Sequence, residues 1–267
     1  MAELDLIQEE LRELATPVIE AAGNPSEPFG VYFFGPNEPA AELARSVERD
    51  VFGKWFGNSA ELLAAEYDHD DRDLVFFCVL DHRRRLPAGM ARVGLPSGDL
   101  CKSFVDLEQR WGASIEDLVV TMGADWEPRE TWDSLTIAVA DEYRGKATDG
   151  LISLAILQTG AQGLRRCGFR TTVTILDVNV LGMVQPMLQD PYQLFPGVEP
   201  MSYLDSPASL PVFLDLDEWE PRLRDADPVM YELMIEGRGI EPAVRAPSWA
   251  PLMRAVGLEP RPASVTH

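Results

Sequence analysis

Between Ser134 and Asp177 the chain reads strand, basic turn, long helix, strand, and this run restricts the possible folds more than any other. In order it is SLTIAV (134–139), ADEYRGKATDG (140–150), LISLAILQTGAQGLRRCG (151–168) and FRTTVTILD (169–177). A strand that ends in an Arg-Gly turn and opens a helix presents backbone N–H groups and a helix N-terminus to an anion such as phosphate. Upstream, LVFFCVL (74–80) and PAGMARVGL (87–95) flank the basic turn HRRR (82–85) and read as an antiparallel hairpin. A hairpin followed by a strand–helix–strand crossover predicts an α/β fold, a mixed and mostly antiparallel central sheet flanked by helices.

The remaining pattern is coarser. Apolar residues at helical spacing predict a helix over 4–22, interrupted at Pro17, and another over 40–52 with Leu43, Val47, Val51 and Phe52 on one face. A strand is expected at 30–34, helices at 102–112 and 114–122, and a short helix at 179–188 that Pro186 bends or ends. Beyond it a strand at 211–216 and a helix near 227–236 precede a loop and tail from Gly237. The expected division is an N-terminal helix (1–28), a core (29–200) and a C-terminal strand/helix extension with tail (201–267).

Composition removes several function classes. With 44 acidic and 23 basic residues the formal net charge is −21, a field that repels nucleic acid and disfavours an acidic carrier-protein partner. No apolar run approaches the ~20 residues of a membrane span, and the N-terminus MAELDLIQEELREL has no signal-peptide pattern. A cytoplasmic protein without membrane partner is expected. Cys78, Cys101 and Cys167 are too few and scattered for a disulfide framework or a zinc site. Three histidines supply neither a metal cluster nor a Ser-His-Asp set, so no metal is expected.

The order of elements resembles the GNAT superfamily of N-acyltransferases, whose hallmark is a strand followed by Arg or Gln, then x-x-Gly-x-Gly or Ala, opening a helix. Here Arg144 matches, while Ala147 and Asp149 replace the two small motif residues. The upstream half also resembles, more weakly, the acyl-homoserine-lactone and N-acyl amino acid synthase branch of that fold. Glu66, Asp68 and Asp71 stand in an E-x-D-x-x-D arrangement, and Gly89 and Arg92 in G-x-x-R. The resemblance covers about residues 40–190. It implies acyl transfer from acyl-coenzyme A, with an acyl carrier protein as second choice of donor, to a small-molecule amine.

The resemblance also implies roles. The N–H groups of Leu135, Ile137 and Val139 would align a pantetheine arm. The turn holding Arg144, Gly145, Lys146, Ala147 and Gly150 would hold the pyrophosphate. Amine attack on a thioester needs a proton acceptor, a polarised carbonyl and close positioning. Asp133, at the start of the strand, is the first candidate base, and its ordinary alternative is a solvated strand-start residue. Asp177 is the runner-up, with helix capping as its alternative. Tyr192 is the nearest tyrosine to the place of the family's general acid. Glu66, Asp68, Asp71 and Arg92 are candidate substrate-binding residues, against a solvated acidic turn and a structural ion pair. Apolar residues Phe213, Trp219, Met230, Tyr231 and Leu233 suggest that the extension caps a pocket or builds a homodimer. Two further outcomes stay open: a GNAT-like domain that binds without catalysing, and a thioester decarboxylase on the same scaffold.

Overall fold

Strand β2 (Leu74–Asp81) is buried along its whole length, which is why LVFFCVL reads as a continuous apolar run: both its faces are covered. It pairs antiparallel with β3 (Leu86–Gly94) and with β1 (Phe29–Phe34). The computed structural model describes residues 2–67, 74–123 and 125–258. Further along are β4 (Trp132–Val139), β5 (Thr171–Asp177), β6 (Gln193–Leu194), β7 (Met201–Tyr203), β8 (Ser206–Asp215) and β9 (Val244–Arg245). They form one sheet in the order β6-β8-β5-β4-β3-β2-β1-β9, with β7 on β8. The β4/β5 and β1/β9 pairs are parallel and the others antiparallel. The sheet is therefore mixed, as the hairpin and crossover require, and mostly antiparallel, as expected.

The helices are α1 (Ala2–Ala21), α2 (Ala41–Phe56), α3 (Ala60–Tyr67), α4 (Lys102–Trp111), α5 (Ile115–Met122), α6 (Leu151–Cys167), α7 (Val178–Met187), α8 (Leu216–Ala226), α9 (Pro228–Tyr231) and α10 (Ala250–Ala255). Helix α1 continues through Pro17 instead of breaking there. Likewise α8 runs through Pro221, so the single helix expected near 227–236 is preceded by a longer one. The stretch 227–236 itself is α9 followed by one π-turn, Glu232–Glu236.

Adjacent positions on a strand point to opposite faces, and that alternation separates the two helix layers. On β4, Trp132 meets Gly163 of α6, while Asp133 accepts hydrogen bonds from Ser103 of α4. On β3, Gly89 lies beneath α6, and Arg92, three residues on, faces α2. So α6 covers one face, and α2 with α4 covers the other. Gly89 is a close-approach position. A Cβ there would lie 2.7 Å from Ile152 Cγ2 and 3.1 Å from the Ala138 carbonyl oxygen. We expect Gly89→Ala to destabilise by about 1–3 kcal/mol through overpacking, read as a lower urea midpoint with unchanged slope.

The C-terminal apolar residues belong to the chain's own interior. Phe213, Trp219 and Tyr231 are buried, and Met230 and Leu233 pack against the main core. Strand β8 pairs with β5 over seven residues, so the segment after residue 200 helps build the sheet through β7, β8 and β9.

Candidate functional site

Strands β4 and β5 are neighbours only at their beginnings, Trp132↔Thr172 and Asp133↔Val173. The cause is visible on the other edge of β4. Arg92 pairs with Thr136 and Val93 with Ser134, leaving Leu135 as an extra residue. An extra residue bends and twists the bulged strand, and here it turns β4 away from β5. From Ser134 onward no β5 partner is recorded for β4 among the described residues, so this edge offers backbone N–H and C=O groups to an extended ligand. At the vertex Ser134 Oγ and Thr172 Oγ1 are 3.0 Å apart.

Beneath the vertex, on the α6 face, lies an apolar cavity of about 60 Å³. Its walls include Trp132, Ser134 and Ile137 of β4, Ile156 and Gly160 of α6, Thr172, Tyr192 and Trp219. Ile137 is one of the few large apolar residues left substantially exposed, because it sits on the parted segment of β4.

Where β4 ends, the chain makes short 3-10 turns at Asp141–Tyr143 and Gly145–Ala147 before α6 begins. Gly145 has φ +55°, and Asp149 and Gly150 have φ +49° and +79°. Asp149 and Gly150 are thus consecutive left-handed residues just before Leu151, a conformation that Gly150 adopts at little cost. The N-cap has no side-chain hydrogen bond. That N-cap is Gly150, which has no side chain to accept one. Arg144 is turned back: its Nε donates to the Val139 carbonyl at 2.9 Å, and its Nη1 is 3.5 Å from Asp141. The Ala147 N–H is engaged by the Arg144 carbonyl, which removes it from the expected cradle.

The opposite face of the vertex is polar and closed. Asp133 is 1% exposed, so it does not fit the alternative of a solvated strand-start residue. It accepts from Ser103 N at 2.9 Å and Ser103 Oγ at 2.6 Å, at the first turn of α4. Burial drives its carboxyl up, these bonds and Lys102 oppose the rise, and the result is about 6. That rise from 3.8 is worth roughly 3 kcal/mol. Because the folded value is the higher one, the native state holds the proton more tightly. The associated stability is full below pH ~4 and lost as pH rises through about 6. We expect wild type to lose up to ~3 kcal/mol relative to Asp133→Asn between pH 4 and pH 7.5, measured by urea unfolding of both proteins.

Arg92, expected at a substrate, is 2% exposed. Its Nε and Nη2 meet Glu48 Oε1 and Oε2 at 3.1 and 2.5 Å, and Thr136 Oγ1 donates to Glu48 Oε1 at 2.5 Å. The guanidinium also lies over the rings of Tyr67 and Phe76. It anchors α2 to the sheet and is closed to a substrate arriving from solvent. Glu66 stands on α3 rather than in a solvated turn, bonded to Lys102 at 2.7 Å and Arg110 at 2.9 Å. Lys102 also reaches Asp106, and Tyr203 donates to Asp106 at 2.6 Å. Asp68 and Asp71 lie outside the described residues.

Asp177 caps α7, accepting from Asn179 N and Ser206 Oγ at 2.8 Å each. Burial raises its carboxyl, but these bonds outweigh burial and hold it below the ordinary value. Tyr192 lines the apolar cavity, and burial lifts its hydroxyl to about 12. Among the described residues no group of three or more His, Cys, Asp or Glu is placed to hold a metal, and no helix is long and apolar enough to cross a membrane.

Sequence reasoning missed Glu48, Ser103, the Ser134–Thr172 contact and the Leu135 bulge. Glu48 alone carried a signal: it lies beside Ala44, Val47 and Val51 on the buried stripe of α2. The other three depend on pairing partners distant in sequence.

No protein-family model and no curated protein sequence matches the chain. Solved structures do. A CoA-dependent acyl-homoserine lactone synthase, BjaI, solved with SAM and isopentyl-CoA, superposes with a TM-score of 0.53 at 14% identity, over 84% of this chain and 97% of that one. FeeM, an N-acyl amino acid synthase from uncultured soil microbes, gives 0.54 at 7% identity, over 74% and 95%. The fold is GNAT-like.

Proposed function

We propose that the chain transfers an acyl group from an acyl-coenzyme A thioester to a small-molecule amine. The observation that carries this reading is the parting of β4 from β5 at the Leu135 bulge, with an apolar cavity below it and the left-handed turn before α6 at its open end. The three parts match the three parts of the donor. The free edge of β4, through the N–H groups of Leu135, Ile137 and Val139, suits the amides of a pantetheine arm. The amides of Gly145, Lys146 and Gly150 suit a pyrophosphate, and the cavity suits a short apolar acyl chain. The names of the two matched proteins, both synthases of acylated products, favour the same class.

The amine nitrogen attacks the thioester carbonyl carbon, the C–S bond breaks, and the amine proton leaves to a base. A carboxylate with its pKa near 6 is mostly ionised at neutral pH and is a competent acceptor. Asp133 lies one residue before the vertex, on the face opposite the acyl cavity, where Ser103 and α4 cover it. Its burial favours a second reading, a domain that binds the thioester without catalysing.

One assay separates the two. Acetyl- and longer acyl-coenzyme A are incubated with a panel of amino acids and polyamines, and released thiol and acylated amine are quantified. Thiol release that depends on an added amine is the expected result. Thioester binding with no thiol release supports the second reading. Thiol release without any amine points to thioester hydrolysis and overturns the transfer reading, whereas a decarboxylase would release carbon dioxide from a carboxyacyl thioester with no free thiol.

A further inference from the structure

Trp55, in the last turn of α2, is 58% exposed, yet its ring is held in place from three directions. Its Nε1–H donates to Asp141 Oδ1 at 3.2 Å. The Arg144 guanidinium lies over the ring at 5.1 Å, and Lys54 Nζ lies 5.8 Å from the ring centre. Lys54 and Arg144 both pair with the same carboxylate, Asp141. An isolated exposed tryptophan needs no explanation, but this one is fixed by residues of the turn that follows β4. Its position follows from α2 itself. Glu48 meets Thr136 in the middle of β4, and seven residues further, about 10 Å along the helix, Trp55 meets the end of that strand.

We infer that Trp55, with Lys54 and Arg144, forms a stacking platform for the purine nucleotide end of the thioester donor. A rigid indole offers a π-face that any base can stack on, and two cations beside it suit a phosphate group. In the bound state a phosphate replaces Asp141 as the partner of Lys54 and Arg144. The platform rests on the donor reading above and deepens it, because a carrier protein presents the same pantetheine arm without the base.

The probe is adenosine 3′,5′-bisphosphate, titrated calorimetrically into wild type, Trp55→Ala and Trp55→Phe. In parallel, turnover is compared for acyl-coenzyme A and the matching acyl-pantetheine. Trp55→Ala is expected to bind the bisphosphate about tenfold more weakly, with Trp55→Phe restoring most of the loss and acyl-pantetheine turnover unchanged. Equal bisphosphate affinity in wild type and Trp55→Ala overturns the platform, even where acyl transfer proceeds normally. Loss of turnover in Trp55→Ala with a carrier-protein donor but not with acyl-coenzyme A also overturns it and marks a protein-docking surface instead. A platform that binds the bisphosphate while no thioester is consumed leaves the platform standing and removes the acyl-transfer reading.

Discussion

Arg92→Ala is expected to destabilise the protein by about 3–5 kcal/mol, the cost of leaving one member of a buried ion pair without its partner. Glu48 is 1% exposed and its two oxygens accept from Arg92 and Thr136. Without the guanidinium, a charged carboxylate would sit between α2 and the sheet with one hydroxyl for company. The pair itself need not be a net source of stability. Replacing both partners with neutral groups of similar size, Glu48→Gln with Arg92→Met, is expected to recover most of the loss. Urea unfolding of the single and double variants at pH 7 measures this directly. A single variant within 1 kcal/mol of wild type would show that the pair is open to water.

Gly160→Leu is expected to leave the fold intact and to change which donors are accepted. Gly160 faces the apolar cavity from α6, and a Cβ built on it meets nothing within 4 Å. A leucine there fills space that an acyl chain would otherwise occupy, while removing glycine from a helix interior is itself favourable by up to ~1 kcal/mol. Each buried methylene is worth about 0.8 kcal/mol. Shutting out four of them lowers kcat/KM by roughly two-hundredfold for a six-carbon donor. An acetyl donor, which does not reach the cavity, changes little. Equal losses for acetyl and six-carbon donors would place the acyl chain elsewhere.

The sequence and the structure agree best where the information is local. The β2–β3 hairpin, the β4–turn–α6–β5 crossover and the mixed sheet follow from periodicity and turn residues within single segments. Pairing of Arg92 with a carboxylate was legible too, since a lone charge in an apolar strand needs a partner. The partner was not: Glu48, 44 residues upstream on α2, is what the fold supplies. Helix α8 was hidden by Pro221 and a charged sequence whose buried side, Leu216, Trp219 and Leu223, packs onto the core. The Leu135 bulge is a property of register between β3 and β4, so nothing in SLTIAV reveals it. Asp133 was legible as a candidate and illegible as a buried one, because its cover comes from α4. In the same way Arg144 was marked by its motif, but its fold-back onto Val139 was not.

Calorimetric titration of acetyl- and longer acyl-coenzyme A into wild type and Arg144→Ala tests the central claim most directly. Arg144 ties the end of β4 to the turn before α6, so its removal loosens the pyrophosphate cradle without touching the apolar cavity. Micromolar binding that tightens with acyl length up to the capacity of the cavity, and weakens at least tenfold in the variant, is the expected result. No binding of the folded wild-type protein at millimolar acyl-coenzyme A would contradict it and separate this GNAT-like chain from the coenzyme.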